Sequence, residues 1–145
     1  MNLVHPVISV KIKRNVRKGC IIMNLQQKTE TLLAVCKECF ERHAQMRELD
    51  REPDFFIEVK PYADQYHTLL DEWTEEVSEF IKTAKPKYVH PIQIETLTDS
   101  MKQFIVQSFY QKTGKKRFVL SINSAEYTLK TILDALRLEQ EGDVR

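Results

Sequence analysis

Cys36-x-x-Cys39-x-x-x-His43 is the spacing in this chain with the most chemical potential. On a helix, positions i, i+3 and i+7 share a face, so two thiolates and an imidazole could reach one metal ion together. Structural zinc takes four ligands, so this set needs a further donor from another segment, such as His67 or a carboxylate. The Cys-x-x-Cys has no second pair downstream. It also falls inside a helical stretch, whereas a thioredoxin-like redox pair follows a strand. The simpler reading makes both thiols small hydrophobes on an inner stripe, with His43 near the helix's last turns. No metal or other cofactor is expected; Cys36, Cys39 and His43 are the candidates if one binds.

Other chemistries are weaker. A di-metal carboxylate bundle needs an inward Glu on two helices and Glu-x-x-His on the other two. This chain has no Glu-x-x-His, and Glu75, Glu76 and Glu79 read as a solvated face. A nucleophile elbow of the G-x-S-x-G kind is missing too. No cysteine is loop-borne with a nearby His and Asp from another element; the thiols fall on a core stripe or in the N-terminal arm. Catalysis is therefore not expected.

Cations gather in two places: Lys82, Lys85, Lys87 and His90 in one, Lys112, Lys115, Lys116 and Arg117 in the other. About 22 residues of intervening helix, at ~1.5 Å each, put them roughly 30 Å apart, so they form no common patch. The second group shares its end with Glu48, Asp50, Glu52 and Asp54, and local charge pairing is expected there. The first group differs. Lys85, Lys87, Tyr88 and His90 lie in a short loop stiffened by Pro86 and Pro91, and polar and aromatic groups on a rigid loop suit a binding surface. Against that, Tyr88 and Val89 could fold back to plug the domain's end while His90 caps the next helix.

These residues are positioned by four amphipathic segments. Leu25, Thr29, Leu32, Cys36, Cys39, His43 and Met46 step by threes and fours, the spacing of one helical face. A break at Asp50-Arg51-Glu52-Pro53 precedes Tyr62, Tyr66, Leu69, Trp73, Val77, Phe80 and Ala84, with Pro61 suited to a helix start. Phe55, Phe56 and Val59 read as a preceding turn or a kinked first part of that helix. Lys85-Pro86 stops it, because a residue before proline is driven from the α region. The third segment carries Ile94, Leu97, Met101, Phe104 and Ser108, with Thr113-Gly114 as its glycine C-cap. The fourth carries Phe118, Ile122, Ala125, Leu129, Ile132 and Leu136. Such stripes, joined by short loops, predict an all-α, antiparallel up-and-down four-helix bundle with Trp73, Phe104 and Tyr127 in its core. Phe109, Tyr110, Leu120 and Leu138 lie off the stripes; a dimer could bury them, or they could widen the core faces.

A length of 145 residues fits one domain. Three cysteines make no disulfide framework, and with no secretion signal they read as reduced thiols in the cytoplasm. No apolar run approaches a membrane span. Of the formal charge of +1, residues 1–22 supply +5 from Lys11, Lys13, Arg14, Arg17 and Lys18, which leaves −4 for residues 23–145. A mildly acidic body is a poor partner for nucleic acid. Arg17-Lys18-Gly19 is what a purine-rich ribosome-binding site would encode, three codons before Met23. Translation is therefore expected to begin at Met23, with 1–22 a disordered or mis-assigned extension and 23–145 the bundle domain.

Lys85-Pro86-Lys87-Tyr88-Val89-His90, Gln93-Ile94-Glu95, Gln107-Ser108, Lys115-Lys116-Arg117-Phe118 and Tyr127-Thr128-Leu129, with Asp54-Phe55-Phe56 and Lys60-Pro61, together resemble the YppE-like family of small proteins from Bacillus-type Gram-positive bacteria. The similarity runs from about Leu32 to Leu136. It implies a four-helix bundle in a cytoplasmic setting and implies no activity. The functional expectation is a non-enzymatic interaction or accessory module that contacts another protein, not nucleic acid or membrane. A small-ligand or metal site in the bundle interior is the alternative.

Overall fold

The computed structural model describes residues 16–17, 20–21, 23–112 and 114–144. Most of the 1–22 extension thus lies outside the described residues. Within it, β1 (Val16–Arg17) and β2 (Cys20–Ile21) pair antiparallel, Val16 opposite Ile21 and Arg17 opposite Cys20.

The first helix, α1 (Leu25–Leu49), begins on a reciprocal cap. The Asn24 side chain accepts from the Gln27 N–H at 2.8 Å, and the Gln27 side chain accepts from the Asn24 N–H at 3.1 Å. It ends at Asp50, which turns left-handed (φ 51°, ψ 49°) and donates its N–H back to the Met46 carbonyl. A single π-helical turn, Phe55–Val59, then runs straight into α2 (Lys60–Ala84), with Pro61 in the first helical turn. Of the two readings of Phe55, Phe56 and Val59, a preceding turn or a kinked first part of the helix, the structure takes the second. Lys85 closes α2 in the left-handed region (φ 47°, ψ 57°), so the residue before Pro86 does leave the right-handed α region.

The third helix, α3 (Pro91–Gln107), starts where His90 is extended and its N–H donates to the Gln93 side chain at 2.7 Å. It ends at Gln107, seven residues before Gly114, the expected cap. The reason is tertiary: Ser108 is fully buried and donates to the Ile105 carbonyl at 2.8 Å, and the turn after it drives Phe109 into the core. Gly114 instead opens α4 (Lys115–Val144), its carbonyl accepting from the Phe118 N–H at 3.1 Å.

The helices run alternately up and down, and sequential neighbours pack against each other, with α1 and α4 closing the ring. All four inner stripes face one core centred on Trp73, Phe104, Phe118 and Leu129. Trp73 is completely buried, and its indole N–H donates to the Thr29 hydroxyl at 2.9 Å. That hydroxyl passes its own proton to the Leu25 carbonyl at 2.8 Å, so neither group is left unsatisfied.

Two expected core assignments change. Tyr127 is 71% exposed: Ala125 and Leu129 take the inward positions and turn it to the outer face. On α2, Leu70 is fully buried and Leu69 only half-buried, a shift of one position around the helix. Of the off-stripe residues, Phe109 joins the core and Tyr110 packs against it, while Leu120 and Leu138 are exposed.

Candidate functional site

Cys36, Cys39 and His43 do share the inward face of α1, and all three are buried. Their surroundings suit packing. Burial pushes the Cys36 thiol well above its ordinary range, and nearby Cys39 and Glu126 add to this. Burial also raises Cys39, against the opposing pull of Arg42. Both sulfurs are therefore disfavoured as thiolates, the form a metal binds. His43 stacks on Phe118, ring centres 4.1 Å apart and 19° from parallel. The fourth donor considered, His67, is directed to the Lys102 carbonyl at 3.2 Å. Among the described residues, no group of three or more His, Cys, Asp or Glu side chains is arranged to hold a metal ion.

The α2–α3 loop divides its residues. Val89 is buried and plugs the end of the bundle. Lys85, Lys87, Tyr88 and His90 all face outward, with Tyr88 76% exposed. The left-handed Lys85 at one end and the His90–Gln93 cap at the other hold the loop in place. Antiparallel packing sets this loop at the end opposite Lys112, Lys115, Lys116 and Arg117. Among the described residues, none of those four cations pairs with Glu48, Asp50, Glu52 or Asp54. The charge pairing expected there is replaced by a bidentate Arg51–Glu58 contact within the α1–α2 connection and by Arg47 reaching the Gln111 carbonyl. Glu75 and Glu79 are solvated as expected; Glu76 is instead half-buried and pairs with Lys28, itself almost entirely covered.

A polar cluster missed at the level of sequence ties three helices together at the α1–α2 end. Arg42 lies with its guanidinium carbon 4.1 Å from the centre of the Tyr62 ring and 4.2 Å from that of Phe109. Its Nε donates to the Ser108 hydroxyl at 3.0 Å and its Nη2 to the Cys39 sulfur at 3.6 Å. Tyr62 donates to Glu38 Oε1 at 2.7 Å, and Tyr66 stacks obliquely on Tyr62. Burial disfavours the guanidinium charge, but the groups packed around it more than offset that cost, so Arg42 stays cationic. Burial likewise raises the Tyr62 and Tyr66 phenols far beyond any physiological titration. Arg42, Tyr62 and Tyr66 are therefore each held in one protonation state at neutral pH, which suits a structural tie. The visible signal was Glu38-x-x-x-Arg42, an i, i+4 pair that reads as an ordinary surface contact until Tyr62 and Phe109 close over it.

Close by, the π-helical turn presents Phe55, Phe56 and Ile57 outward, the last two 75% and 74% exposed. It is tightly held: Asp54 accepts from the Ile57 N–H at 3.0 Å, and Glu58 accepts from the Asp54 N–H at 3.2 Å while pairing with Arg51.

This four-helix bundle is a known architecture. The chain belongs to the family described as a bacterial domain of unknown function, DUF1798, whose profile matches residues 29–136. It is 32% identical to YppE of Bacillus subtilis (strain 168) over 115 residues, 79% of this chain and 94% of that protein. The crystal structure of Bacillus subtilis YppE superposes with a TM-score of 0.78, covering 81% of this chain and 95% of that one. A protein of unknown function from Listeria innocua, 26% identical, superposes at 0.76 over 81% of this chain and 94% of its own. The YppE-like resemblance and its bundle are thus established. Among the described residues, no helix is long and apolar enough to cross a membrane.

Proposed function

We propose that this chain is a small cytoplasmic, non-enzymatic interaction module that contacts another protein through the outer face of its α2–α3 loop. One observation carries the reading: Tyr88 stands exposed beside Lys85, Lys87 and His90 on a loop anchored by buried Val89. An exposed aromatic on a pre-ordered loop loses little conformational entropy on binding, which is why such residues serve as interface anchors. The buried Arg42–Tyr62–Ser108 tie, whose groups are engaged in packing and hydrogen bonds, supports a non-enzymatic role. The separation of the two lysine-rich loops supports a protein partner over nucleic acid, because a phosphate backbone needs a continuous basic track.

Tagged protein expressed at its natural level is expected to recover a partner in stoichiometric amount. Tyr88→Ala with Lys87→Glu should lose that partner while helicity and melting temperature stay unchanged. Recovery of the chain alone, or a partner retained by the loop variant, would overturn the reading.

A further inference from the structure

The seam between α1 and α4 is not fully closed. Near the α1–α2 end a cleft of about 380 Å³ opens along it, within the range of small-molecule sites. Its floor is aromatic and aliphatic: the His43–Phe118 stack, the half-exposed ring of Phe40 and the side of Val119. The gap exists because α1 offers only the methyl of Ala44 at this level, between the larger Phe40 and Arg47.

Charge at the cleft is predominantly positive. Arg47 and Lys115 border it, with Glu48 as the single acid. Lys115 also opens α4, whose first turn carries Lys115, Lys116 and Arg117 and no acidic residue. Cations at a helix N-terminus act against the helix dipole and destabilise it. An anion held there would offset both the dipole and the crowded side-chain charge.

The geometry points to a binding site for a small organic anion, with its aromatic or short acyl body against Phe40 and Phe118 and its acid group between Arg47 and Lys115. The site lies on the surface of the α1–α4 seam, over the core ring of Phe118 and away from the Lys85–His90 loop, so it stands independently of the interaction reading.

Anilinonaphthalene sulfonate matches this class and reports binding by fluorescence. Titrated into the folded full-length chain, it is expected to saturate one site with a Kd on the order of 20 µM. Ala44→Trp fills the cleft from an exposed position and should abolish saturable binding with helicity and melting temperature retained. Arg47→Glu with Lys115→Glu should weaken it at least tenfold. Phe56→Ser with Ile57→Ser, which removes the exposed apolar turn, should leave it unchanged. The site is disproved if no saturable binding occurs, if binding survives Ala44→Trp, or if the Phe56/Ile57 variant abolishes it.

Discussion

The two ends of the bundle close in different ways. At the end formed by the α1–α2 and α3–α4 connections, charge goes inward and apolar surface goes outward: Arg42 is clasped by Tyr62, Phe109 and Ser108, while Phe56 and Ile57 face solvent. At the α2–α3 loop the usual order holds, with Val89 inside and Lys85, Lys87, Tyr88 and His90 outside. A loop with an apolar plug needs no further partner for closure, so its outer residues are free to vary with function. An end closed by a cation needs every donor satisfied, so its sequence is constrained by structure. The contrast teaches that inward charge at one end is a cost of architecture, whereas outward aromatic surface at the other is available for recognition.

The largest test of this contrast is Arg42→Ala. It removes two cation–π contacts and a charged hydrogen bond to buried Ser108, and should cost about 2–4 kcal/mol. Thermal unfolding should fall by roughly 6–12 °C, taking about 3 °C per kcal/mol for a chain of this size. Arg42→Lys should recover little, because an ammonium lacks the planar fork and face. A loss under about 1 kcal/mol would show that the clasp does not hold this end.

Next is the core pair that links α1 to α2. Thr29→Val keeps the shape but strands the buried Trp73 N–H, with an expected cost of about 1–3 kcal/mol in urea unfolding. A neutral result would mean that the indole finds another acceptor.

The α2–α3 loop should respond in the opposite direction. Lys85 is a non-glycine residue held at φ 47°. Lys85→Gly relieves that backbone and should stabilise by about 0.5–1 kcal/mol. Asp50→Gly, at φ 51°, should gain less, since aspartate tolerates this region better.

The smallest effect at neutral pH concerns the thiols beside the clasp. Burial raises both Cys36 and Cys39 above the ordinary thiol value of 9.0, so the folded state keeps its protons longer than the unfolded state. Their contribution is complete below about pH 9 and is lost progressively as pH rises towards the folded values. Urea midpoints should hold steady from pH 7 to 9 and then decline. Cys36→Ala with Cys39→Ala should reduce that decline, leaving the part due to the buried tyrosines, which begins higher.

Much of this was legible in the linear sequence. The α1 stripe from Leu25 to Met46 and the α4 stripe from Phe118 to Leu136 pack as their spacing requires, because burial of a 3.6-residue period leaves a helix only one face to turn inward. Pro61 and Pro91 mark helix starts for an equally local reason, their missing N–H groups. Short connections between such helices then allow only antiparallel neighbours. Where side chains from distant segments meet, local pattern ran out. Gly114 reads as a C-cap and proves to be a helix start, because Ser108 and Phe109 leave α3 to complete the Arg42 clasp. Tyr127 reads as core, yet Ala125 and Leu129 claim the inward positions. The Cys36–Cys39–His43 face was identified correctly from the spacing, but only its neighbours decided its chemistry: desolvation keeps the sulfurs protonated and Phe118 covers the imidazole. Periodicity is a property of one segment and survives in the sequence; the environment of a polar group belongs to several segments at once, and tertiary packing alone sets it.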